Sequence, residues 1–198
     1  MGKGRLEAFS DGVIAILITI MILELKVPHG TDLEAVRPIL APFLTYVLSF
    51  VYLGIYWNNH HHMLQATKRV TGGALWANQH LLFWLSLVPF ATGWMGENHY
   101  EALPTAAYGV VLLFAAIAYT ILQTILIRER EGSNQVLSEA VGSDLKGKAS
   151  LALYLASIPL AFVNTWISIA IYVIVALIWL VPDKRIEHSL AHSGTRDE

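Results

Sequence analysis

The chain alternates long apolar blocks with short polar punctuation. A helix needs ~20 mostly apolar residues to cross ~30 Å of hydrocarbon at about 1.5 Å per residue. Blocks of that size predict helices over Ala8 to Leu25, Ile39 to Trp57 with a polar continuation through His62, Ala74 to Met95, and Ala102 to Ile127. Pro38 stands where a missing N–H is harmless, and Pro89 predicts a kink near the far end of the third helix. The last block, Ala149 to Val181, holds 33 residues without a charge. One unbroken helix of that length would reach about 50 Å, too long for a single crossing. Asn164 and Thr165 at its middle are turn-prone and divide it into two. The expectation is an all-α polytopic membrane protein with six transmembrane helices.

Basic residues orient this arrangement. With six crossings both termini share a side, and 11 of the 13 Lys and Arg fall there, while Lys26 and Arg37 lie opposite. The excess of cytoplasmic Lys and Arg in membrane proteins places both termini in the cytoplasm. Leaving Ala149 to Val181 as one helix would put the C-terminal basic residues outside, so the bias supports the division. Residues 1–187 then form one transmembrane domain and 188–198 a flexible cytoplasmic tail. The stretch from Arg128 to Lys148 reads as a cytoplasmic loop with room for a short helix.

Composition agrees. The 198 residues are 55% hydrophobic and 14% charged, with a mean hydropathy of +0.52, against about 25% charged in soluble domains. A net charge of -2 gives no reason to expect nucleic acid. The absence of Cys excludes disulfides and thiolate metal sites. Glu7 and Asp11 precede the first apolar run where a cleaved signal needs positive charge, so that run reads as retained. Leu6 in place of Ser or Thr argues against myristoylation at Gly2.

On the first helix, at about 100° per residue from Ile16, the residues Gly12, Ile20, Leu23 and Val27 lie within about 40° and Thr19 at about -60°. Asp11 lies about 140° away. An intramembrane acid costs ~2.5–3.5 kcal/mol or more without a partner, so Asp11 is expected to be tied to other helices. Partners stand at the same depth: Trp57, Asn58, His60, His61 and His62 at the end of the second helix, Asn78 and His80 at the start of the third. The three consecutive His spread over about 200° and do not converge on one ion, and no zinc motif accompanies them. Glu97 and Glu101 read as a solvated outer loop. No phosphate loop, nucleophile elbow or paired catalytic carboxylate is present, so no enzyme is expected.

Arg5, Phe9, Ser10, Asp11, Ala15, Ile16, Thr19 and Leu23, followed by Pro28, resemble the R-xxx-FSD-xxx-AI-xx-T-xxx-L signature of the transmembrane protein 175 potassium channels, in particular their single-repeat bacterial members. Trp57 with His60 and His61, then Asn78, Leu82, Pro89 and Phe90, then IWLVPDKRIE from Ile178 to Glu187 extend the likeness over nearly all six helices. The resemblance implies a potassium-selective leak channel, a homotetramer in the cell membrane with a central pore lined by the first helix. It implies a hydrophobic constriction of Ile16, Ile20 and Leu23 in place of carbonyl ligands, with Thr19 as a polar neighbour in cation selection. Arg5, Ser10 and Asp11 would join Trp57, His60, His61 and Asn78 in a network that anchors the first helix. The permeant ion would be potassium, with no cofactor.

A proton-coupled or proton-conducting transporter, with Asp11 and the histidines titrating during transport, is the alternative.

Overall fold

The computed structural model of the chain describes residues 2–65, 67, 70–128 and 144–180. The helices are α1 (Lys3–Leu23), α2 (Leu33–Val36), a single 3-10 turn (Arg37–Ile39), α3 (Leu40–Gln65), α4 (Gly72–Ser86), α5 (Val88–Glu97), α6 (Ala102–Arg128), α7 (Leu145–Leu160) and α8 (Thr165–Leu180). No strand occurs among the described residues. The helices Lys3–Leu23, Leu33–Gln65 and Ala102–Ile127 are each long and apolar enough to cross a membrane unaided. The expected tail at 188–198 and most of the 128–148 connection lie outside the described residues.

Local chemistry explains the boundaries. Asp32 caps the helical run that leads into α3 by accepting from Ala35 N at 3.0 Å, which starts that run earlier than the apolar block alone suggests. Pro89 does not kink a continuous helix. The chain breaks at Leu87 and restarts, with Pro89 in the first turn of α5 where no N–H is required. Leu87 N still bonds Trp84 O at 3.2 Å and Ala91 N bonds Leu87 O at 3.0 Å, so α4 and α5 act as one bent rod. Asn164 separates α7 from α8, its side chain accepting from Trp166 N at 3.0 Å.

α6 is central and packs on α4, α5, α7 and α8. It buries Tyr108, Leu112, Ala115, Ala118, Leu122 and Leu126, a spacing of three and four that keeps one face inward. Small residues set the closest approaches. A Cβ on Gly96 would lie 2.7 Å from Pro42 Cα, so only glycine lets α5 meet the start of α3.

With no water inside a bilayer, most of the buried hydroxyls pair with each other or with helix carbonyls, Thr105 Oγ1 excepted. Thr92 Oγ1 lies 2.6 Å from Ser49 Oγ, which lies 2.9 Å from Tyr108 Oη. Tyr52 donates to Tyr172 O at 2.6 Å, and Tyr172 to Thr105 O at 3.0 Å. These bonds join α3, α5, α6 and α8.

α1 sits at the edge of this bundle, against α3, α4 and α5. Its inward stripe is Leu6, Ser10, Ile14, Leu17 and Met21, all buried.

Candidate functional site

The outward half of α1 is uncovered. Ile16 is 56% exposed, Ile20 40% and Leu23 79%, whereas Ile14 is fully buried. Gly12, Ala15 and Thr19 are exposed on the same half, so small and branched side chains interleave along one open stripe. The Thr19 hydroxyl donates back to its own helix, 3.0 Å from both Ala15 O and Ile16 O. That uses its proton and leaves oxygen lone pairs facing outward.

The inward half is held by two sets of polar contacts. In the deeper set, Asn78 Nδ2 donates to Ser10 Oγ at 3.0 Å, Ser10 Oγ donates to Leu6 O at 2.9 Å, and Asn78 Oδ1 meets His60 Nε2 at 2.7 Å. Ser10, His60 and Asn78 are all fully buried, so each group depends on the others. This chain of bonds joins α1, α3 and α4.

The shallower set links α1 to α3. Trp57 Nε1 donates to Asp11 Oδ1 at 3.1 Å, and the Trp57 ring stacks on His61 with centroids 6.0 Å apart. His61 Nδ1 lies 2.9 Å from Glu7 Oε1 in a geometry that makes no directed hydrogen bond. Nε2 of His61 is 2.8 Å from the Gln65 side-chain amide, and Lys3 Nζ donates to Gln65 O at 2.8 Å.

Ser10, Asp11, Trp57, His60, His61 and Asn78 therefore gather at one end of the bundle. Arg5 does not join them: it is exposed, and its side chain has no hydrogen bond or ion pair within the chain among the described residues. Helical geometry explains this, because Arg5 lies about 20° from Ile16 on the open stripe. His62 meets the ring of His61 at 5.9 Å and leaves its own Nδ1 buried without a partner. Glu97 pairs with Lys26 at 3.0 Å at the opposite end, and Glu101 is exposed. Sequence reasoning missed Glu7 and Gln65. Their signal was present in spacing: Glu7 and Asp11, and likewise His61 and Gln65, are four apart and share a helix face.

The family model described as "Endosomal/lysosomal potassium channel TMEM175" matches residues 5–89, the segment that supplies Glu7, Ser10, Asp11, Trp57, His60, His61, Gln65 and Asn78. A Chryseobacterium protein named "Potassium channel HX13_20290" is 57% identical over 190 residues, covering 96% of this chain and 98% of that relative. The chain belongs to the TMEM175 family. The crystal structure of a lysosomal potassium-selective channel TMEM175 homolog from Chamaesiphon minutus superposes with a TM-score of 0.75 at 27% identity, covering 91% of this chain and 97% of that one. The chicken "Endosomal/lysosomal proton channel TMEM175" is 33% identical over 150 residues, 66% of this chain and 30% of the relative. This TMEM175 chain is thus an all-helical membrane channel protein and not an enzyme.

Proposed function

We propose that this TMEM175 chain forms a potassium-selective leak channel as a homotetramer in the cell membrane, with both termini cytoplasmic and residues 1–187 as the channel domain. α1 lines the pore, and Ile16, Ile20 and Leu23 form rings that replace a carbonyl filter. The observation that carries this reading is the asymmetry of α1. One half is locked into α3, α4 and α5, and the other is an apolar stripe left open at the edge of the protomer. Gly12 and Ala15 on that stripe let copies approach an axis closely. A cyclic assembly brings the same face of each copy around one axis. The names of its bacterial relatives supply the ion.

A ring of branched apolar side chains excludes water when narrow, so an ion crossing it loses hydration without replacement ligands. Low conductance follows. Thr19, one turn from Ile16, offers hydroxyl oxygens beside the constriction, where a partly dehydrated cation gains most from them.

Proton conduction is the second reading, favoured by the ionisable cluster of Glu7, Asp11 and His61 at the end of the same helix and by the chicken relative's name. Reconstitution in liposomes separates the two. Potassium efflux that proceeds at equal pH on both sides, with single-channel steps, supports the first reading. Flux that requires or dissipates a pH gradient and ignores a potassium gradient supports the second.

A further inference from the structure

At the end where α1 meets α3, Glu7, Asp11 and His61 bring one ligand atom each to within 4.8 Å of one another. We propose that these three side chains form a binding site for a divalent cation of the zinc class, which would clip the start of α1 to the end of α3. The inference concerns the protomer alone and does not depend on α1 lining the pore.

The donor set suits such an ion. Two carboxylate oxygens and an imidazole nitrogen make a mixed oxygen and nitrogen site, which zinc accepts readily. The carboxylates stand four residues apart on one helix, where like charges repel. Lys3 is engaged with the Gln65 carbonyl, and Arg5 is turned to the open stripe. His61 Nδ1 is cut off from solvent and has no aligned hydrogen-bond partner, although it points into the cluster at 2.9 Å from Glu7. Among the described residues no Lys or Arg pairs with Glu7 or Asp11, and the buried His61 nitrogen lacks the directed partner such a group calls for.

Two of the three ligands, Asp11 and His61, are also oriented from behind, as metal ligands generally are. Trp57 holds Asp11 through Oδ1 and leaves Oδ2 free. The Trp57 stack fixes the plane of the His61 ring. The Gln65 amide, turned over, presents its oxygen to Nε2–H when Nδ1 binds the ion. Zinc bonds of ~2.0–2.2 Å require the ligand atoms to close to about 3.3 Å. The flexible side chains of Glu7 and Asp11 supply that movement without shifting either helix.

The test uses full-length, tag-free protein carrying His188→Ala and His192→Ala to remove tail histidines, stripped with chelator and titrated with zinc chloride calorimetrically. One saturable site per chain is expected, with a rise in melting temperature. Glu7→Gln and His61→Gln should each weaken zinc by about tenfold or more, and Gln65→Ala by about tenfold through lost orientation. The zinc-free Glu7→Gln protein should elute like its parent, and its own zinc-free melting temperature is the baseline for its zinc shift. Absence of saturable binding in the parent, or unchanged affinity in both ligand variants, overturns the site. If the variants do not fold, copper(II) bound to the parent decides. Magnetic coupling to one imidazole nitrogen is expected, and none, or several, contradicts the proposal.

Discussion

The Ser10 hydroxyl on α1 accepts a hydrogen bond from Nδ2 of Asn78 on α4 at 3.0 Å, with both residues fully buried. Asn78→Ala leaves Ser10 still bonded to Leu6 O but takes the Nε2 partner from His60, whose Nδ1 is already unpaired. An orphaned buried group costs about 1–3 kcal/mol, while side-chain hydrogen bonds in membranes average about 0.6 kcal/mol. The first figure governs here because His60 loses its remaining hydrogen bond. Asn78→Ala should therefore lose about 1–3 kcal/mol in mixed-micelle unfolding. Asp11→Asn keeps an acceptor for Trp57 at a partly exposed site and should lose less than about 1 kcal/mol. The reverse order would show that the charge, not the buried amide, anchors α1.

Glycines divide by what they touch. Gly96→Ala forces a Cβ against Pro42 Cα at 2.7 Å, and overpacking of this kind costs about 1–3 kcal/mol. Gly12→Ala meets nothing within 4 Å in the protomer, so the fold should hold. If Gly12 faces the other copies, its change should appear as altered assembly or conductance. Thermal melting and size-exclusion of both variants check this pair, and equal melting temperatures contradict it.

Single cysteines test the membrane orientation cleanly in a chain without native Cys. Gly2 and Ser193 should react with an impermeant maleimide only after permeabilisation, and Asn98, exposed at the far end of α5, should react from outside. Gly96 is unsuitable because it is buried against Pro42. External labelling at Ser193 with Gly2 protected rules out a six-crossing arrangement, and external labelling at both inverts its orientation.

Much of this was readable from the chain because apolar runs and their interruptions are dictated by bilayer thickness and turn chemistry. The division at Asn164 follows from a polar side chain able to cap α8. The gathering of Ser10, Asp11, Trp57, His60, His61 and Asn78 follows from shared depth. The break at Leu87 was less legible: Pro89 marks a disturbance but does not say whether the helix bends or restarts. The Thr92, Ser49 and Tyr108 contacts were invisible, since lone hydroxyls in apolar helices carry no pattern until α3, α5 and α6 are packed. Glu7 counts in the sequence only as a charge against a cleaved signal, because its partner lies 54 positions away at His61.

Thr19→Val removes a hydroxyl that bonds only its own helix. The fold should be unaffected, with current retained and potassium over sodium preference reduced. Reversal potentials under bi-ionic conditions measure it. Unchanged selectivity would mean that the Thr19 oxygen does not meet the ion.

The same recording on Ile16→Asn addresses the central claim, that α1 lines the narrow part of the pore. A polar amide with as many side-chain heavy atoms but a smaller volume keeps water in the ring and lowers the barrier for any small cation. Ile16 is 56% exposed in the protomer, so the variant should fold and assemble. Ile174→Asn, at a comparably exposed position on α8, serves as the control and should leave permeation unchanged. Larger current with weaker potassium over sodium preference in Ile16→Asn alone is the expected result. An Ile16→Asn channel that assembles and conducts like its parent, with the same reversal potential, would contradict it.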